Sequence, residues 1–224
     1  MTTKVAIDGP SGAGKSTVGH ALAQTIDATF IDTGLMYRAL TLAAVERGMD
    51  LDDGPALAAL AELCWIGVER ALPEQTDRLE TVLLDGRDVT LEVRRPRVDR
   101  AVSAVSRHPE VRDAMLGVQR MAAVRGDVVM VGRDIGTVVL PDATLKVYLT
   151  ADAEVRAARR AAEMGRSDRV AEYLEEIRRR DAADSGREVA PLRIPAGALV
   201  LDTGDLDVDA CVDAIVAELR HIGA

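Results

Sequence analysis

Gly9-Pro10-Ser11-Gly12-Ala13-Gly14-Lys15-Ser16 fits the pattern of a glycine, four residues, and then Gly-Lys-Ser/Thr. Glycines let successive backbone N–H groups turn inward on phosphate oxygens, Lys15 neutralises the terminal phosphates, and the Ser16 hydroxyl reaches the Mg²⁺ that accompanies a nucleoside triphosphate. The flanks agree with that reading. Lys4-Val5-Ala6-Ile7-Asp8 reads as a short buried strand, and residues 16–25 as a helix whose N-terminal dipole faces the same anion. Asp8, at the mouth of the loop, either holds the metal's water shell or makes a structural hydrogen bond.

Short β-branched runs recur between helical patterns, at residues 28–31, 128–131, 145–149 and 198–201. With the first strand these make five, and strands alternating with helices predict a parallel sheet covered on both faces. The expected fold class is therefore α/β, with a five-stranded parallel sheet flanked by helices. Between about residues 50 and 100 the rhythm breaks. Glu80-Thr81-Val82-Leu83-Leu84 and Arg87-Asp88-Val89-Thr90 flank Asp85-Gly86, a two-residue hairpin signal that predicts an inserted antiparallel subdomain. Further on, residues 154–165 and 170–184 read as charged, Ala- and Arg-rich helices. Gly165-Arg166-Ser167-Asp168 joins them, a short polar bridge suited to a lid.

The chain has 224 residues, 48% of them apolar, enough for one domain with a sizeable insert. Its 28 basic and 37 acidic residues leave a net −9. That balance argues against a nucleic-acid partner or a polybasic membrane patch, so an anionic substrate must be met by local cations. Lys4, Lys15 and Lys146 are the lysines, and 28 less 3 leaves 25 arginines, whose planar fork grips phosphate or a base edge. Cys64 and Cys211 read as reduced, packed thiols. No apolar run approaches the roughly 18 residues of a membrane span, and the first strand begins within about four residues of the start. No membrane partner is expected, and the expected compartment is the cytoplasm.

Asp32-Thr33-Gly34 and Asp202-Thr203-Gly204 each end a short apolar run. Two such triplets mark the aspartic proteases, where paired carboxylates share a proton. Those enzymes are bilobal and β-rich, whereas here each triplet reads as a strand-to-loop exit, and ligands of open parallel sheets gather at such exits. Arg133-Asp134 places a cation and a carboxylate at another strand's carboxyl end, although a salt-bridged loop would look the same. Arg156, Arg159 and Arg160 share a helix face by their spacing, and so do Arg180, Asp184 and Arg187. Alone, either set reads as solvated charge. Beside a phosphate loop the weight shifts, because phosphoryl transfer depends mostly on positioning and on cations around the moving group. His20, His108 and His221 are scattered and suggest neither a metal site nor a triad. The chain contains no asparagine, so it lacks the Asn-Lys-x-Asp motif with which a GTPase-like switch reads guanine.

Four stretches now stand together: Ile7-Asp8-Gly9-Pro10-Ser11-Gly12-Ala13-Gly14-Lys15-Ser16-Thr17, Asp32-Thr33-Gly34-Leu35-Met36-Tyr37-Arg38, Gly132-Arg133-Asp134-Ile135-Gly136-Thr137-Val138-Val139, and Arg180-Asp181 through Arg187 with Ala190-Pro191-Leu192. In order and spacing they closely resemble the bacterial cytidylate kinases, nearly end to end. Asp85-Gly86-Arg87-Asp88-Val89 and Leu145-Lys146-Val147-Tyr148-Leu149 add to the match.

The resemblance implies the P-loop nucleoside monophosphate kinase fold, with a core of residues 1–40 and 101–224, an inserted monophosphate-binding subdomain at about 41–100 and a lid at about 156–170. It implies direct in-line phosphorylation of CMP and dCMP by ATP with Mg²⁺, and a monomer is expected. ATP would lie on Gly9, Pro10, Ser11, Gly12, Ala13, Gly14, Lys15, Ser16 and Thr17. The CMP phosphate would meet Thr33, Arg38 and Arg133, the cytosine Ser103, Arg112, Asp134 and Arg187, and the sugar Arg180 and Asp184, with Tyr37 lining the pocket. Arg156 and Arg160, with Arg159 as a third, correspond to the lid arginines, so catalysis falls to Lys15, Arg133, Arg156 and Arg160. Thr33 stands where relatives often carry serine, keeping the hydroxyl and adding a methyl. The lid around residues 165–168 is short for the family. A cytosine edge offers an amino donor and two acceptors, which a carboxylate and arginine or serine complement. The alternative is another small-molecule kinase on the same scaffold, of shikimate or uridylate type.

Overall fold

Residues 2–71, 75, 78–124 and 126–223 are described in the computed structural model; Leu72, Pro73, Glu74, Thr76 and Asp77 of the expected insert lie outside them. In chain order the elements are β1 (Lys4–Asp8), α1 (Lys15–Thr25), β2 (Thr29–Asp32), α2 (Thr33–Glu46), α3 (Gly54–Leu63), β3 (Ile66–Arg70), β4 (Glu80–Leu84), β5 (Arg87–Asp88), α4 (Pro96–Ser106), α5 (Pro109–Ala122), β6 (Val128–Gly132), β7 (Leu145–Thr150), α6 (Ala153–Glu163), α7 (Val170–Ser185), β8 (Leu199–Asp202) and α8 (Val208–His221). The main sheet is five-stranded and parallel, in the order β2-β6-β1-β7-β8, with Val5 opposite Leu145 and Val147 opposite Leu199. β1 and β6 are near-continuous apolar runs because both faces of their strands are covered, and Val5, Ala6, Ile7, Val128, Val129 and Met130 are fully buried. β7 alternates instead, with Leu145, Val147 and Leu149 buried between half-buried Lys146, Tyr148 and Thr150.

The chain divides into two compact units, Met1–Ala28 with Val129–Ala224, and Thr29–Val128. In the first, α1 packs on α8 and α6 on α7. The two charged helices expected on either side of residues 165–168 are present, joined by a 3-10 turn at Ser167–Arg169. α6 carries an arginine in its buried stripe, with Arg156, Ala157 and Ala161 facing inward.

In the second unit, Asp32 caps α2 by accepting from Gly34 N at 2.9 Å. The expected hairpin forms on Asp85 and Gly86, both at positive φ (52° and 80°) as a two-residue turn of this kind requires. Two features differ from the expectation. The sheet has three strands, β3-β4-β5, and β5 is only two residues long. β3 carries little signal, because Ile66 is its one buried residue and Glu69 and Arg70 are exposed. β5 stops early because Thr90 replaces the ladder with side-chain bonds: its Oγ1 accepts from Val82 N at 2.9 Å, and its own N–H bonds Asp88 Oδ1 at 2.9 Å. This unit is wider than the expected insert, since α2 packs on α4 and α3 on α5. Cys64 and Cys211 are free and buried.

Candidate active site

β1 runs directly into the phosphate loop. Gly9 leaves the strand at φ +152°, where a Cβ would sit 2.1 Å from the Leu149 carbonyl oxygen, so no side chain fits. Gly14, at φ +78°, is the N-cap of α1. The first-turn N–H groups of a helix have no carbonyl within their own helix to bond, so this end, with Lys15, Ser16 and Thr17, is built for an anion. Lys15 is buried and donates from Nζ to Pro10 O at 2.7 Å, which holds its cation over its own loop.

Asp8, fully buried, makes the structural bonds that were one of its two expected roles. Its two oxygens accept from Ile135 N and Gly136 N, each at 2.7 Å, at the start of a π-helical turn, Ile135–Val139. Burial pushes its carboxyl up to about 6, with the two amides and Lys15 opposing and Asp134 adding to the rise. Tying β1 to these amides fixes the backbone that carries Arg133 and Asp134.

Arg133 Nε donates to Asp184 Oδ2 at 2.7 Å, and Arg187 bonds Asp184 Oδ1 at 2.5 Å. Burial pushes the Asp184 carboxyl up, but Arg133, Arg187 and Arg180 together hold it below the usual carboxylate range. Four expected acceptor residues therefore share one electrostatic centre. The shared-face expectation for Arg187 needs correcting: α7 ends at Ser185 with Gly186 as its C-cap, and Arg187 folds back onto Asp184 from beyond the helix. Asp134 is buried beside this centre in sequence.

The three arginines expected to serve a lid take separate partners. Arg156 bonds Ala151 O, Ser11 O and Asp181; Arg159 bonds Thr203 Oγ1 at 3.0 Å and Thr203 O; Arg160 pairs with Glu163 at 3.4 Å on its own helix. Thr203 and Asp181, which sequence reasoning passed over as candidates, are partners of these arginines. Thr203 Oγ1 also reaches Ala13 O, at 3.3 Å, so the second Asp-Thr-Gly triplet touches the phosphate loop. Its position at the carboxyl end of β8 was the available signal.

In the second unit, Thr33 is the buried first residue of α2, and Arg112 lies 5.6 Å above the Tyr37 ring, both side chains buried. Arg38 bonds Asp99 at 2.5 Å and Val93 O at 3.3 Å. Ser103 is exposed on α4, one turn beyond Asp99. Among the described residues no group of three or more His, Cys, Asp or Glu could hold a metal, and no helix is long and apolar enough to cross a membrane.

The cytidylate kinase family model matches residues 5–221. A cytidylate kinase of Caldanaerobacter subterraneus subsp. tengcongensis is 45% identical over 223 residues, 98% of this chain and 96% of that one. Another, of Rhodococcus jostii, is 48% identical over 218 residues, 95% of this chain and 92% of its own. Among solved structures, a shikimate kinase from Acinetobacter baumannii in complex with shikimate aligns over 100% of this chain and 96% of its own, with a TM-score of 0.50 and 14% identity, a likeness of fold alone. Because one match runs from residue 5 to residue 221, through residues 9–16, Asp85-Gly86, Arg133-Asp134 and α6–α7 alike, the chain belongs to the cytidylate kinase family.

Proposed function

We propose that this protein transfers the γ-phosphoryl group of ATP directly to the phosphate of CMP or dCMP, giving ADP and the nucleoside diphosphate. Family membership across residues 5–221 carries the reading, since it covers donor loop, insert and lid together. The phosphate loop and Lys15 bind and neutralise the triphosphate. Mg²⁺ enters with ATP as part of the substrate and screens charge on the phosphoryl oxygens. A single hydroxyl at Ser16, with no multi-carboxylate group among the described residues, suits a metal that arrives on a nucleotide.

The acceptor falls to Thr33, Tyr37, Arg38, Ser103, Arg112, Arg133, Asp134, Arg180, Asp184 and Arg187. Arg133 meets the acceptor phosphate, Asp134 accepts from the cytosine amino group, and Arg180 and Asp184 meet the sugar. Arg156 and Arg160 add cationic charge around the transferring group. Uracil reverses part of the cytosine pattern and would leave buried groups unpaired, which disfavours UMP. The enzyme acts as a cytoplasmic monomer, which sedimentation of the purified protein checks. A coupled ADP-release assay with CMP, dCMP, UMP and shikimate tests the assignment. Turnover should be fastest with CMP or dCMP, and no CDP formed from CMP with ATP and Mg²⁺ would end it.

A further inference from the structure

Arg156 is 5% exposed, and each nitrogen of its guanidinium meets a different segment: Nε bonds Ala151 O at 2.8 Å, one terminal nitrogen Ser11 O at 3.0 Å, and the other Asp181 Oδ2 at 2.7 Å. The first partner follows β7, the second lies in the phosphate loop, and the third is on α7. Gly12 permits the approach, because a Cβ there would lie 3.1 Å from Arg156 Cβ. Asp181 sits between Arg180 and Asp184 on α7, and its second oxygen, Oδ1, is buried with no hydrogen-bond partner among the described residues. A carboxylate so placed is held by its ion pair, and the arginine is held by the carboxylate. Tyr148 stands nearby as a neutral neighbour: burial, then Asp181 and Asp8, push its hydroxyl up, against Arg133 and Arg156.

A trans peptide is planar, so fixing the Ser11 carbonyl also fixes the Gly12 N–H, which points the opposite way. That N–H is one of those that line a phosphate loop. We propose that Asp181 is a positioning residue for ATP: through Arg156 it sets the Ser11–Gly12 peptide, and so aims a loop N–H at the phosphates. The proposal rests on the phosphate loop taking ATP, as in the proposed function.

The test is the affinity of the full-length protein for ATP with Mg²⁺, measured by calorimetry without any acceptor. Asp181→Asn should raise the dissociation constant on the order of tenfold, in line with the loss of a charge-assisted hydrogen bond, with a melting temperature near wild type. Arg156→Lys, which cannot bond all three partners, should do the same, and the double variant should be no weaker than Arg156→Lys alone. Wild-type affinity in Asp181→Asn, or losses that multiply in the double variant, would overturn the proposal. A second readout needs no nucleotide: the Arg156 Nε–H resonance should be slow to exchange in the wild type and fast in Asp181→Asn. If the wild type binds no ATP, the nucleotide reading fails and this resonance decides alone, an unchanged signal refuting the latch. If Asp181→Asn does not fold, Asp181→Glu, which keeps the charge on a longer arm, carries the same comparisons.

Discussion

Lys15 is buried, and its Nζ donates to Pro10 O, a carbonyl of the loop it serves. Lys15→Met should therefore cut turnover about a hundredfold or more while far-UV circular dichroism stays near wild type, because the lost cation acts on the transition state. Near-normal turnover would remove Lys15 from the mechanism. Glu80 makes the opposite case, a charged group with a stability signature. It occupies the core face of β4 beside Val82 and Leu84, with Arg94 as its ion-pair partner at 3.0 Å. Burial, with Asp32 adding, pushes its carboxyl from the ordinary 4.5 up to about 7, Arg94 opposing. The folded value is the higher one, so the protonated group's contribution is complete below pH 4.5 and is lost as pH rises through 7. Glu80→Gln should gain on the wild type in melting temperature between pH 5 and pH 8, by the equivalent of on the order of 3 kcal/mol at most. A gap that does not change with pH would show that Glu80 stays ionised throughout.

Helix α7 and the segment after it carry three of the proposed acceptor residues, Arg180, Asp184 and Arg187, which should separate by kinetics. Arg187→Met should raise the Michaelis constant for CMP and lower kcat/KM at least about tenfold with ATP binding little changed, and Asp184→Ala should shift the ratio of CMP to dCMP activity. Uniform losses accompanied by lowered melting temperatures would make the Arg133–Asp184–Arg187 cluster a structural ion-pair network. How much of this was legible in sequence follows the range of each interaction. The strand-loop-helix at residues 4–25, the Asp85-Gly86 turn and helices α6 and α7 are written in contiguous residues, and all were readable. β3 was not, because a strand with one buried residue has no alternation to see. The pairing of Arg156 with Asp181 was invisible for another reason: helical spacing shows which residues share a face, but not which neighbouring helix that face meets.

The proposed acceptor set includes Tyr37 and Arg38 on α2 and Arg180 and Asp184 on α7, so CMP with an unreactive ATP analogue should slow hydrogen exchange in both helices. Protection confined to one helix would reassign the acceptor residues of the other. Net charge bears on the whole molecule too. At −9 the proposed anionic substrates need local cations, and Arg38, Arg112, Arg133 and Arg156 are each braced by the protein, on Asp99, Tyr37, Asp184 and Asp181 respectively. Reliance on arginine also leaves few primary amines. Of the three lysines, Lys4 and Lys146 are half-buried at the sheet, and Lys15 is buried with its nitrogen on Pro10 O. To an acylating reagent the surface is therefore nearly silent, and the slowest lysine to be labelled, by mass spectrometry, should be the one that reports whether the phosphate loop is filled.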